Sequence, residues 1–334
     1  MKPADHPQVQ HGRIGVLLTN LGTPDAPEAA AVRRYLAEFL SDRRVIEIPR
    51  IAWLPILHGI ILRIRPKKSA HAYKQVWTEE GSPLAAITRR QTEALQRQLG
   101  EEVIVDFAMR YGNPGIAQST ENLVALGCER ILVAPLYPQY CAATTATAMD
   151  AVYASLARMR RQPALRSLPP YYDDELHIGA LQASLERQLA QLDFEPQRLL
   201  LSFHGMPQRT LELGDPYYCH CRKTARLLSE RLTIPTDVAF QSRFGRAKWL
   251  EPATDKVLAA FPKDGVTRIA IAAPGFSADC VETVEELGIR GRETFMAAGG
   301  EQFARLECLN DSPEGMTMLE GLVRRELAGW TLQP

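Results

Sequence analysis

The chain has 334 residues, 46% of them hydrophobic and 23% charged, and its 39 basic side chains are balanced by 39 acidic ones. That length holds two domains of ordinary size, and a net charge of zero supplies no field to attract nucleic acid. Residues 1–13 are polar and lack the apolar stretch of a signal peptide, so a reducing, cytoplasmic setting is expected, in which six cysteines suggest free thiols or a metal site before disulfides.

Along the chain, apolar β-rich runs alternate with helical patterns. A strand is expected at 14–18 and a helix at 29–40. Residues 51–64 follow, an apolar run of 14 residues broken by Pro55, His58 and Gly59 and too short to span a bilayer. From 48 to 78 there is no Asp or Glu, but there are Arg50, Arg63, Arg65, Lys67, Lys68 and Lys74. Two readings fit: a surface for a membrane or an amphiphilic acid, or a buried helix with a solvated basic end. Further helices are expected at 91–98, 181–192, 224–232 and 313–329, and further strands at 103–107, 131–134, 199–203, 238–240 and 269–273. Near-continuous apolar strands belong in a parallel sheet covered on both faces. The expected fold is therefore α/β, with two similar doubly wound (Rossmann-like) domains, each a parallel sheet flanked by helices. Pro163, Pro169 and Pro170 mark a linker, which gives domains at 1–165 (with an insertion at about 48–78) and 166–312, and a C-terminal helix at 313–334. No G-x-G-x-x-G or phosphate loop occurs, so nucleotide binding has no support.

The sequence also repeats itself. T-N-L-G-T-P at 19–24 answers S-F-H-G-M-P at 202–207, M-R-Y-G at 109–112 answers S-R-F-G at 242–245, and G-C-E-R-I-L-V-A-P-L-Y at 127–137 answers G-V-T-R-I-A-I-A-A-P-G-F at 265–276. Two like halves facing across a cleft are expected, the first carrying about 50 extra residues between its first and second landmarks. The copies differ where chemistry would lie: His204 stands where the first has Leu21, and Glu282 where it has Ala143.

A histidine in a Gly- and Pro-bounded turn at a strand's carboxyl end can act as general base or metal ligand. On an α-helix Asp279, Glu282 and Glu286 would share one face, an arrangement that repels itself unless protons or a cation use it. Oxygen donors with one imidazole would pass Fe(II), Zn(II) or Co(II) without trapping it.

S-F-H-G-M-P, F-Q-S-R-F-G-R-A-K-W-L-E-P at 240–252 and A-P-G-F-S-A-D-C-V-E-T-V-E-E-L at 273–287 resemble the signature segments of the ferrochelatases, as do L-T-N-L-G-T-P, A-M-R-Y-G-N-P and P-L-Y-P-Q-Y. The resemblance runs from about Gly12 to Gly329. It implies a chelatase-like fold and the insertion of ferrous iron, as substrate, into protoporphyrin IX in the last step of haem synthesis. It also implies that His204 and Glu282 form the central pair, with Asp279 and Glu286 extending a proton or metal path. Arg110, Tyr111, Tyr137, Ser242 and Trp249 would line the porphyrin cleft, and Trp53, Leu57, Arg63 and Arg65 would belong to an apolar lip that touches the inner membrane surface.

Coproporphyrin, another metal, and a non-enzymatic haem or metal carrier are the alternatives. No organic cofactor is implied. Cluster-bearing ferrochelatases read Q-Y-S-C where this chain reads Q-Y-C-A at 139–142, and 309–334 holds no cysteine, so a [2Fe–2S] cluster of the usual kind is not expected. Cys219-His220-Cys221 remains as a fragment of a metal site or as two plain thiols on a helix.

Overall fold

The computed structural model describes residues 12–243, 245 and 247–331. Residues 1–11 of the polar opening, and Phe244 of the second landmark, lie outside the described residues.

Two four-stranded parallel sheets form the framework. In the first, β1 (Arg13–Gly22), β2 (Val103–Tyr111), β3 (Cys128–Pro135) and β4 (Ala164–Ser167) lie in the order β2-β1-β3-β4. In the second, β5 (Arg198–His204), β6 (Thr236–Gln241), β7 (Arg268–Ala272) and β8 (Gln302–Arg305) lie in the order β6-β5-β7-β8. The topologies are the same, so the sequence repeat is a repeat of fold. Val16, Leu17 and Leu18 in β1 and Leu199, Leu200 and Leu201 in β5 are fully buried, as strands covered by helices on both faces require.

The third landmark keeps its register, because Gly15 pairs with Ile131 as Arg198 pairs with Ile269. The second does not. Asn20 pairs with Met109, whereas its counterpart Phe203 pairs with Phe240, two residues before Ser242. Arg110 therefore lies inside a strand and Arg243 outside one. β4 and β8 were not expected; each has four partly exposed residues and carries an arginine instead of an apolar run. A division after residue 165 would fall inside β4, and the chain passes from the first sheet to the second between Ser167 and Arg198.

The halves share one apolar core. It runs from Val16, Leu18 and Leu132 through Leu319, Leu322 and Val323 of the last helix to Leu199, Leu201 and Phe203. That helix, Pro313–Leu327, packs on the helix Pro83–Leu99 of the first half and on the helix Glu175–Leu189. Arg166 of β4 locks its end, donating from Nη1 to Glu326 O at 2.6 Å and stacking its guanidinium 4.2 Å from the Trp330 ring.

His177 sits in this packing at 1% exposure, with Nδ1 3.4 Å from Met318 Sδ. Burial pushes its imidazole down to about 3. The native ring therefore stays neutral while the unfolded chain takes up a proton below about 6.5. Between pH 6.5 and about 3 this residue removes up to ~1.4 kcal/mol of stability per pH unit as the medium acidifies. Urea denaturation of wild type and His177→Leu at pH 7.5 and 5.5 is expected to show a smaller acid loss in the variant.

Candidate active site

β6 and β7 lie on opposite sides of β5, so the crevice beyond the carboxyl ends of β5 and β7 is a topological switch point, where open α/β sheets take ligands. His204 is the last residue of β5. Glu282 is the first residue of a π-helical segment, Glu282–Gly291, that follows β7. The first half turns π-helical at the matching place, Ala142–Ala146, but with only small and hydroxyl side chains. Segments of this kind are rare and concentrate at functional sites.

The turn after His204 needs its glycine. A Cβ on Gly205 would lie 2.5 Å from Gln241 O and 3.3 Å from the Trp249 ring. The same holds for Gly22, where a Cβ would meet Tyr111 O at 1.8 Å. Both landmark turns thus press a strand end against its neighbour's backbone.

His204 is half-buried, with Nδ1 2.7 Å from Gly205 O and its ring 6.5 Å from Phe276. A carbonyl only accepts, so the hydrogen of the neutral ring sits on Nδ1 and Nε2 presents a lone pair. Gln241 ties this turn to Glu282: its carbonyl accepts the Gly205 N–H at 2.7 Å, and its Nε2 donates to Glu282 O at 3.0 Å. Ser202 Oγ fixes the same amide by donating to Oε1 at 2.8 Å.

The acidic face is corrected. Asp279 precedes the helix and does not lie on it. It is 5% exposed, and its carboxylate accepts from Arg305 Nη1 at 2.8 Å, Thr283 Oγ1 at 2.6 Å, Asn310 Nδ2 at 2.8 Å and the Cys308 amide at 3.3 Å. A carboxylate so occupied is a structural anchor. Glu286 accepts from the Ser242 amide at 2.8 Å and Ser242 Oγ at 2.6 Å, with Arg290 Nη2 at 3.8 Å. Ser242 adopts φ 65° to do this, a conformation costly for a residue with a side chain. Among the described residues no group of three or more His, Cys, Asp or Glu side chains gathers to hold a metal.

The residues expected to line the cleft divide into two sets. Ser242 and Trp249 are partly exposed beside the His204 turn, on a cavity of 460 Å³ that Gln241 and Glu286 also line. Arg110 and Tyr111 instead converge on Asp42. Arg110 Nη2 donates to Oδ2 at 2.5 Å and Tyr111 Oη at 2.9 Å, and Tyr111 is fully buried. Burial opposes ionisation of Asp42, but the donors Thr147, Arg44 N–H, Tyr111 and Arg110 outweigh it and hold the carboxyl below its usual range. The Tyr137 hydroxyl is buried, with no hydrogen-bond partner among the described residues.

The lip is corrected as well. Trp53 is 5% exposed and its Nε1 donates to Leu40 O at 2.7 Å, while Leu57 is fully buried. The surface belongs to isoleucines: Ile51 is 89% exposed and Ile64 70%, with Ile56 and Ile60 beside them. Arg63 is exposed among these, whereas Arg65 is partly buried and its guanidinium is pushed down by burial.

Cys219 is exposed and Cys221 buried on the helix Tyr217–Ser229. His220 stacks on Tyr172 at 3.6 Å, and its Nδ1 accepts the Tyr140 N–H at 3.2 Å. This histidine is therefore used in holding the two halves together.

Two residues escaped the sequence reading. Tyr35, on the helix Ala29–Leu40, and Tyr73, on the helix Leu62–Val76, are buried in the cluster against which Val281, the residue before Glu282, packs. Their signal was present, since both tyrosines lie within the extra length of the first copy.

The family model described as Ferrochelatase matches residues 13–327. A protein named ferrochelatase from Rhizobium meliloti (strain 1021) is 54% identical over 333 residues, covering 98% of each chain. One of the same name from Mesorhizobium japonicum is 53% identical over 334 residues, 98% of this chain and 95% of that one. Among solved structures, SirB from Bacillus subtilis with Fe3+ superposes with a TM-score of 0.57 at 14% identity, covering 95% of this chain and 96% of that one. CbiX, described as the terminal enzyme of sirohaem biosynthesis in denitrifying bacteria, gives 0.52 at 13% identity, with 95% and 100% covered. At these identities the two structures bear on fold alone.

Removing the Asp279 anchor strands Arg305 in a largely buried site. Asp279→Ala is expected to lower stability by about 3–5 kcal/mol in urea denaturation, the range for breaking a buried ion pair on one side.

Proposed function

Because this chain belongs to the ferrochelatase family, and so is a metal chelatase that inserts iron into a porphyrin in haem biosynthesis, we propose that its substrates are ferrous iron and protoporphyrin IX and that His204 and Glu282 carry the insertion. The observation that supports the pair most directly is the His204 turn. It stands at the switch point, half-buried, with Nε2 open and Nδ1 committed to Gly205. A free-base porphyrin must shed its two inner N–H protons as the metal enters. An imidazole with one lone pair presented is suited to receive a proton there. Glu282 supplies an oxygen donor from the start of the π-helical segment, its main chain tied to the same turn through Gln241. Trp249 and Phe276 offer apolar faces beside it for a large flat ring.

Protoporphyrin is preferred over coproporphyrin because of the exposed isoleucines. A substrate with fewer carboxylates, delivered from a membrane, needs a lip that enters the interface, and Ile51, Ile60 and Ile64 next to Arg63, Lys67 and Lys68 have that character. Among the described residues no helix is long and apolar enough to cross a membrane. We read the contact as peripheral, made by this lip from the cytoplasmic side. We read the chain as working without an organic cofactor or a [2Fe–2S] cluster. Cluster bands in the visible spectrum of anaerobically purified protein would contradict that.

Loss of free-base porphyrin fluorescence on anaerobic addition of Fe(II) tests the assignment. Wild type is expected to turn over protoporphyrin in preference to coproporphyrin, and His204→Ala to bind porphyrin, keep its melting midpoint and insert no iron. Tight porphyrin binding without turnover by wild type would favour a carrier. Sedimentation with anionic liposomes tests the lip: Ile51→Ser with Ile64→Ser is expected to weaken binding at unchanged stability. Trp53→Ala, by contrast, is expected to cost about 3–5 kcal/mol of folding stability, because it empties a buried indole site.

A further inference from the structure

The helix Leu62–Val76 divides its surface in three. Leu62, Ala70, Tyr73 and Val76 are buried, and the helix packs along the helix Ala29–Leu40. Ile64 is exposed with the other isoleucines. On the remaining flank Lys67, His71 and Lys74 recur at i, i+4 and i+7, the spacing that stacks side chains along one stripe. With Ala29 and Ala70 they line a cavity of about 280 Å³. The two alanines leave the space open, and no carboxylate lines it.

Two ammonium groups and an imidazole on one stripe gain nothing from one another, and no acid relieves them. Among the described residues, Lys67, His71 and Lys74 have no ion pair and no side-chain hydrogen bond. Exposed arginines of the same half are paired, as Arg34 is with Asp25 at 3.6 Å and Arg44 with Asp150 at 2.5 Å. Three of the chain's eight lysines fall within residues 67–74, so compact, strongly hydrated charge is concentrated here. A cavity walled by such groups is complementary to a phosphate.

Its place on the helix says which phosphate. At 1.5 Å per residue, Lys67 lies about 5 Å and His71 about 10 Å beyond Ile64 along the axis. An interfacial apolar face sits ~5–10 Å into the boundary between headgroups and acyl chains. With Ile64 at that depth, the stripe behind it stands at the level of the headgroups. Resting on the reading of the isoleucines as a membrane lip, we propose that this cavity seats the headgroup phosphate of an anionic phospholipid. Lys67 and Lys74 supply the charge on either side and His71 donates between them. The isoleucines give the contact its depth, and the cavity gives it a preference for lipid charge and a fixed direction on the surface.

The test is sedimentation of the full chain with vesicles of phosphatidylcholine, with and without phosphatidylglycerol, at constant ionic strength. Lys67→Gln and Lys74→Gln, alone and together, are compared with Lys68→Gln, which removes the same charge one residue away and outside the cavity. Each cavity variant is expected to weaken partition onto phosphatidylglycerol vesicles about fivefold, and the pair about 20-fold. Lys68→Gln is expected to weaken it no more than about twofold. Thermal melting and the binding to phosphatidylcholine alone are expected to stay as in wild type, whereas Ile51→Ser with Ile64→Ser weakens binding to both vesicles. Equal losses from Lys67→Gln and Lys68→Gln would reduce the stripe to a diffuse field and overturn the cavity as a site. Unchanged partition in the paired lysine variant would overturn the lipid as its ligand; inorganic phosphate bound by wild type in calorimetry, and lost in that variant, would then identify a free anion instead. Both results leave the isoleucine lip standing. No binding of wild type to either vesicle overturns the lip, and this proposal with it.

Discussion

The carboxylate of Asp279, buried against Arg305, is the interaction on which the geometry of the site depends. It joins three parts of the second half: the segment entering the π-helical turn, β8 through Arg305, and the return loop through Asn310 and the Cys308 amide. The bond from Thr283 Oγ1 then clips the first turn of the helix to the same carboxylate. Glu282 stands between Asp279 and Thr283, so its main chain is fixed on both sides. A charge taken from water is costly, and the cost is offset here because the oxygens find an arginine and several neutral donors.

Around that anchor the two halves have diverged in role while keeping one topology. Both sheets run 2-1-3-4, both first strands lead into a glycine jammed against the neighbouring strand, and both third strands lead into a π-helical turn. The second half places a histidine and a carboxylate on these features. The first half places Leu21 and small residues there and spends its extra length on helices that carry the exposed isoleucines. A shared core and the last helix prevent the halves from behaving as separate bodies.

The strands were legible because six of the eight are apolar runs, and β4 and β8 were not because each is four residues long, partly exposed and carries an arginine. His204 was legible because the repeat supplies its own control, a turn that works with leucine. The acidic face was misread because spacing counts only inside an α-helix; here the helix starts after Asp279 and is wound differently. Trp53 looked interfacial, yet its indole N–H finds Leu40 O inside the fold, a partner that no local pattern reveals. Tyr35 and Tyr73 were missed for a related reason. They share a cluster with Val281, more than 200 residues away in sequence.

The hydrogen bond from His204 Nδ1 to Gly205 O has a stoichiometric consequence. It leaves the ring a single vacancy, at Nε2, and that vacancy is filled by one proton. Metallation of a porphyrin releases two. With His204 as the proton acceptor proposed above, a ring locked in this tautomer would take only one of the two, and a cycle would either empty the imidazole midway or hand the second proton to a different acceptor. On that proposal the site is a relay with a capacity of one.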